Sequence, residues 1–181
     1  ANARAEKSSK TRYGTRKQQR HARYVTRKIK SLVRRGRPTQ ALKRLRRKDI
    51  RRGYHAVHYD QALAIIARGY YHANKDEKAL RTGAPAIARS GVKVPMALWW
   101  SGLAAWRSGK FALAAEHFER LARAGLEDDW ITSGAAFWAA RAQLAARDPS
   151  KVNPLLAVAA RYSRTFYGLL AARALGEAPT F

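Results

Sequence analysis

Two carboxylates three residues apart on one helix face can share a proton, and Glu116 and Glu119 have that spacing. They flank His117 and Phe118, with Arg120 and Arg123 close by. Cations at those positions predict a solvated, ion-paired face rather than an acid/base pair. His55 and His58 are also three apart, with Asp60 near and His72 a helix later. Two imidazoles and a carboxylate are zinc-ligand types. The pair straddles an expected helix start, however, and no third ligand is forced, so surface or capping histidines are expected. Asp128-Asp129 read as helix-start acids. The chain has no cysteine, which removes disulfides and thiolate chemistry. No catalytic residue, metal or cofactor is expected from this chain.

The third chemistry is charge. The net charge is +25, unevenly placed: residues 1–53 carry 21 Lys or Arg against Glu6 and Asp49, and residues 54–181 carry 16 against ten acids. Arg34, Arg35, Arg37, Lys43, Arg44, Arg46, Arg47, Lys48, Arg51 and Arg52 are the densest run and form the candidate polyanion surface. Nucleic acid, acidic lipid head groups and an anionic cell-wall polymer all fit it, as does a solvated basic arm with no dedicated partner. No interleaved aromatic residues or base-reading motif accompany this run, so nucleic-acid binding there would be electrostatic and salt-sensitive.

The fourth is aromatic. Helical spacing puts Trp106, Trp130 and Trp138 in the core. Trp99 and Trp100 are adjacent, so they diverge by about 100° on a helix and cannot point the same way. Tyr70 and Tyr71 have the same property. These four are the candidates for a partner or glycan surface.

The elements that position these residues are helices throughout. No alternating strand pattern is present, and no apolar run approaches the length that crosses a membrane. Residues 1–14 are polar and predict a loose basic arm, and residues 15–53 a basic amphipathic hairpin. Its first helix carries a stripe of Tyr24, Val25, Ile29, Leu32 and Val33, and its second, after Gly36-Arg37-Pro38, carries Ala41, Leu42 and Leu45. Asp49 to His55 reads as a connection. Helices follow over about 56–72, 76–89, 98–107, 111–121, 128–146, 155–162 and 166–175. The 128–146 helix has Trp130, Ile131, Ala135, Trp138, Ala139 and Leu144 as its stripe.

A turn residue followed by Ala five positions on recurs as Gly36/Ala41, Asn74/Ala79 and Gly109/Ala114. The alanines are 38 and 35 residues apart, close to the helix–turn–helix period of about 34. The centre of this pattern is Leu98–Leu121, where small Gly102 and Ala114 face large Trp106, Phe111 and Phe118. The expected fold is all-α: divergent tetratricopeptide-like hairpins stacked as a superhelix over residues 54–181.

The segments RRGRPTQALKRL, VPMALWWSGLAAWRSGKFALAAEHFERLA, GAAFWAARA and SRTFYGLLAARALG, in that order, resemble the helical superhelix of soluble lytic transglycosylases of Gram-negative bacteria. The likeness covers about residues 31–176 and is closest at Phe137–Ala142 and Thr165–Leu170. It implies a periplasmic protein working on peptidoglycan, whose lysozyme-like catalytic domain follows the superhelix and carries a catalytic Glu-Ser pair. No Glu here precedes Ser, and the lone Met96 lies in Pro-Met-Ala, so no catalytic residue of that family maps onto this chain. It reads as the helical part of a longer enzyme or as a relative without catalysis. Ala1-Asn2-Ala3 lack the apolar stretch of a signal peptide. From the residues alone, a repeat adaptor for a protein partner and an electrostatic polyanion binder remain open.

Overall fold

The computed structural model describes residues 13–177. These form ten α-helices and no strand. The loose arm expected over 1–14 lies, up to residue 12, outside the described residues.

α1 (Arg16–Arg34) starts at Thr15, whose side chain accepts from the Gln18 backbone N–H while Gln18 reaches back to Thr15 N, a reciprocal cap. α2 (Pro38–Leu45) opens on Pro38, where a missing N–H costs nothing. The connection expected at 49–55 is in part helical: Lys48–Arg52 makes the short α3, which buries no residue. His21 of α1 holds it in place, its Nε2–H donating to the Ile50 carbonyl at 2.8 Å. A polar pattern with one half-buried apolar residue, Ile50, gave no periodicity from which to predict that turn of helix.

α4 (Ala56–His72), α5 (Asp76–Ser90), α6 (Pro95–Arg107), α7 (Phe111–Ala122), α8 (Asp129–Ala145), α9 (Val152–Ala160) and α10 (Phe166–Leu175) follow. Each packs on the next, and α4 also meets α6 while α8 meets α10. α1 and α2 both pack on α4. Val25, Ile29, Ala41 and Leu45 thereby join Ile66, Tyr70 and Leu98 in one apolar cluster, and Phe118 with the alanines of α8 centres a second. Trp99 and Leu80 touch both clusters.

The turns repeat more regularly than the residues in them. At Gly36, Asn74, Gly109, Arg147 and Gly176 the chain takes a positive φ of 56° to 77°. After each of the five, the next residue's N–H reaches back five positions: Arg37 to Leu32, Lys75 to Tyr70, Lys110 to Ala105, Asp148 to Gln143, Glu177 to Ala172, all at 2.9 Å. This is the Schellman closure, in which backbone alone satisfies the last carbonyls of a helix. The first four stand 38, 35 and 38 residues apart. The Arg147 turn escapes a reading of sequence because arginine does not announce a left-handed residue.

Between α6 and α7 the expected close approach is present. A Cβ on Gly102 would lie 2.7 Å from the ring of Phe118, which is fully buried. Ala41, Ala79 and Ala114, the recurrent alanines, are all fully buried. Three residues expected inside lie outside: Tyr24, Trp130 and Leu144 are each more than half exposed. α8 explains two of them. It is apolar around most of its circumference, and its small residues from Thr132 to Ala136 take the interior, turning Trp130 out.

Candidate functional site

The paired carboxylates lie in a cleft of about 780 Å³ between α7 and α8, with Arg120, Arg123, Gln143 and Lys151. Glu119 is nearly buried and fully engaged: Gln143 donates to one oxygen, and Arg123 to the other at 2.7 Å. Glu116 is exposed. A carboxylate whose two oxygens are taken by an amide and a guanidinium has a structural role. Between them, His117 turns inward, and burial pushes its pKa below the ordinary imidazole value against the pull of Glu116.

The zinc-type residues do not converge on one point: the His55 and His58 rings meet edge to face at 6.2 Å, while Asp60 and His72 are engaged elsewhere. His55 caps α4, its Nδ1 accepting from Val57 N at 3.3 Å. His58 Nε2–H donates to the Tyr13 carbonyl at 3.0 Å. Asp60 is fully buried, accepts from Ser90 Oγ at 2.6 Å and is bridged by Arg89, which ties α4 to the end of α5. His72 lies at the far end of α4, against Trp100. No group of three or more His, Cys, Asp or Glu that could hold a metal occurs among the described residues.

Adjacent aromatic pairs split as their helical angle demands. Tyr70 is a correction to the candidate surface: it is 2% exposed and its hydroxyl donates to Thr39 Oγ1 at 3.1 Å. Trp99 is half-buried between Phe118 and Tyr167. Tyr71 and Trp100 remain as a surface cluster, with ring centroids 5.5 Å apart and His72 5.2 Å from Trp100. Arg68 lies over the Trp100 ring at 5.5 Å, and Arg107 over Tyr71 at 4.0 Å. Trp106 and Trp138 pack against each other at 5.5 Å.

The ten basic residues of the candidate polyanion surface occupy the end of α1 and all of α2 and α3. Nine are exposed and Arg44 is half-buried, with Nε enclosed and without a hydrogen-bond partner. Arg47 is spent locally, its guanidinium gripping Asp49 through two hydrogen bonds of 3.1 and 2.9 Å. That bond holds the Asp49 carboxyl below its usual pKa.

The candidate polyanion surface carries one depression of about 340 Å³, lined by Lys43, Arg46 and Arg47; the larger basic concavities lie elsewhere. One groove of about 590 Å³ runs between α1 and α4, lined by Lys30, Val33, Arg34, Ile65, Arg68 and His72. A second, of about 390 Å³, shares Lys30 and Arg34 and adds Arg23, Arg27, Thr26 and His58. A third, of about 350 Å³, continues through Arg23 to Arg20 and Arg16. None of the three contains an acid. Of these residues only Arg34 belongs to the expected surface. Arg16, Arg20, Arg23, Arg27, Lys30 and Arg34 follow one another at steps of four, three, four, three and four, a periodicity present in the sequence but masked by the many other cations of α1.

No helix among the described residues is long and apolar enough to cross a membrane. Comparison of the chain with protein-family models, curated proteins and solved structures gives no match.

Proposed function

We propose that this chain is the non-catalytic, superhelical scaffold of a periplasmic peptidoglycan lytic transglycosylase. Its helical hairpins stack as a solenoid that orients a glycan-cleaving domain carried elsewhere in the same protein. The observation that carries the reading is the meeting of the two segments that most resemble the family. Trp138 of Phe-Trp-Ala-Ala-Arg-Ala and Tyr167 of Thr-Phe-Tyr-Gly approach each other, indole Nε1–H to hydroxyl at 3.4 Å. The residues around them have matching reasons to be what they are. Thr165 caps α10 by accepting from Gly168 N at 3.0 Å. A Cβ at Gly168 would lie 2.0 Å from the Tyr162 carbonyl oxygen, and one at Gly134 would lie 2.9 Å from both Trp99 and Tyr167. The likeness thus falls on residues that pack together rather than on scattered positions. The repeated backbone turns support the stacking of one hairpin on the next.

In this reading the chain performs no bond cleavage: it holds and aims the domain whose glutamate does, with 1,6-anhydromuramoyl ends as products. The test is to read the coding frame through Phe181 and to incubate the complete natural protein with purified peptidoglycan. A lysozyme-like continuation with Glu-Ser, and release of 1,6-anhydro products, is the expected result. A frame that ends without such a domain, or a complete protein that releases nothing, overturns the reading.

A further inference from the structure

We infer that the groove between α1 and α4 is a binding site for single-stranded nucleic acid. The argument uses α1, α4 and the middle of α6 alone and is independent of the scaffold reading.

The six cations from Arg16 to Arg34 occupy one face of α1 at helical spacing. At about 1.5 Å per residue they form a line some ~27 Å long, with about one charge per turn. All six are exposed and none is in an ion pair among the described residues. Arg68 and His72 of α4 add to the line where the groove is widest. A row of like charges at this spacing repels itself and lowers the stability of the helix that carries it. An anionic chain lying along it reverses the sign of that effect.

The end of the groove narrows the choice of chain. Arg68 and His72 both touch Trp100, and Tyr71 completes the aromatic cluster. Cations that track a backbone, followed by rings that accept a flat partner, are what a single strand requires. One line of charge, one helix wide, suits one strand rather than the two of a duplex. A groove does not admit a flat lipid surface. Arg107 already covers Tyr71, so Trp100 is the ring left to take a base, and a polycarboxylate would satisfy the cations but leave it unused. Base-edge readers are few in the lining, with Gln19 and Gln61 the amides there, so recognition is sequence-tolerant.

The test is fluorescence anisotropy of a labelled 15-mer of thymidine against the full chain, across a salt series. The groove variant combines Arg23→Gln, Lys30→Gln and Arg68→Gln. A control variant combines Lys43→Gln, Arg46→Gln and Lys48→Gln, an equal loss of charge on the α2–α3 face. The groove variant should bind at least about tenfold more weakly and reduce the salt slope by about two, whereas the control should change affinity by less than about threefold. Trp100→Leu should weaken binding by about fivefold with the slope unchanged, and an abasic oligomer should bind the native chain as weakly as the thymidine strand binds this variant. Circular dichroism checks that each variant keeps its helicity. Equal losses in the two triple variants would reduce the effect to net charge and overturn the site. Equal competition by poly-L-glutamate at matched charge, or an abasic oligomer that binds as well as the thymidine strand, would overturn the assignment to nucleic acid.

Discussion

α1 and α8 are nearly equal in length and opposite in construction. α1 spends nineteen residues to bury three, Ala22, Val25 and Ile29; α8 buries nine of seventeen. α1 adheres to α4 along a narrow apolar seam and gives the rest of its surface to charge. α8 is gripped on several sides, and small residues bring its neighbours close enough for Phe118, Trp138 and Trp106 to interlock. One end of the molecule is therefore arranged to present a surface and the other to hold its shape. A helix with so thin a seam remains in place because its three buried residues belong to a cluster that continues through Ile66 to Leu98.

Truncation at the two centres should give the largest contrast. Phe118→Ala removes a fully buried ring and should cost about 4 kcal/mol, read as a lower midpoint in denaturant for the whole chain. Ile29→Ala should cost about 3 kcal/mol, and its effect should be local. Amide exchange should accelerate over α1–α3 while α6–α8 keep their protection. Uniform acceleration along the chain would show that the two regions unfold as one and would dissolve the distinction.

The sequence makes much of this legible, for reasons that can be located. Ala56–His72 and Phe166–Leu175 begin and end where periodicity and turn residues place them. Gly102 against Phe118 was visible as a small residue one turn from large ones. What periodicity cannot give is the side of a helix that is apolar all round: hence Trp130 and Leu144 outside. Nor can it choose within an adjacent pair, so Tyr70 and Tyr71 part only once α2 and α6 are in place around α4. The groove was illegible for another reason. Its cations come from α1 and α4, which only folding brings together, and in α1 the telling stripe is camouflaged by Lys17, Lys28 and other cations off that face.

Smaller perturbations sharpen the comparison at the joints. Arg147 sits at φ 64° where Gly36, Gly109 and Gly176 hold equivalent positions. Arg147→Gly should therefore stabilise the chain by about 1 kcal/mol, checked by thermal unfolding. Gly109→Ala, with open space around its missing Cβ but φ 71°, should lose a similar amount. The smallest effect is set by pH. His117 has a folded pKa below its unfolded value, so the unfolded chain binds the extra proton. Its contribution to stability is complete above about pH 6.5 and falls as pH drops towards the folded pKa, at no more than about 1.4 kcal/mol per pH unit. His117→Gln should flatten that part of the stability profile, and an unchanged profile would place the titration elsewhere.

The five backbone-closed turns have a mechanical consequence. Each is a joint whose geometry is fixed by the same pair of backbone hydrogen bonds, while the residue at its centre sets how hard it is to open. Glycine, and Asn74 which accepts the left-handed turn, make the stiff joints; Arg147, which takes it against its own preference, makes the compliant one. Under tension applied at the two ends, the joint at Arg147 yields before the glycine joint at Gly109. The expected order is that α9 and α10 part from α8 first, and single-molecule pulling that opened the Gly109 turn first would refute it.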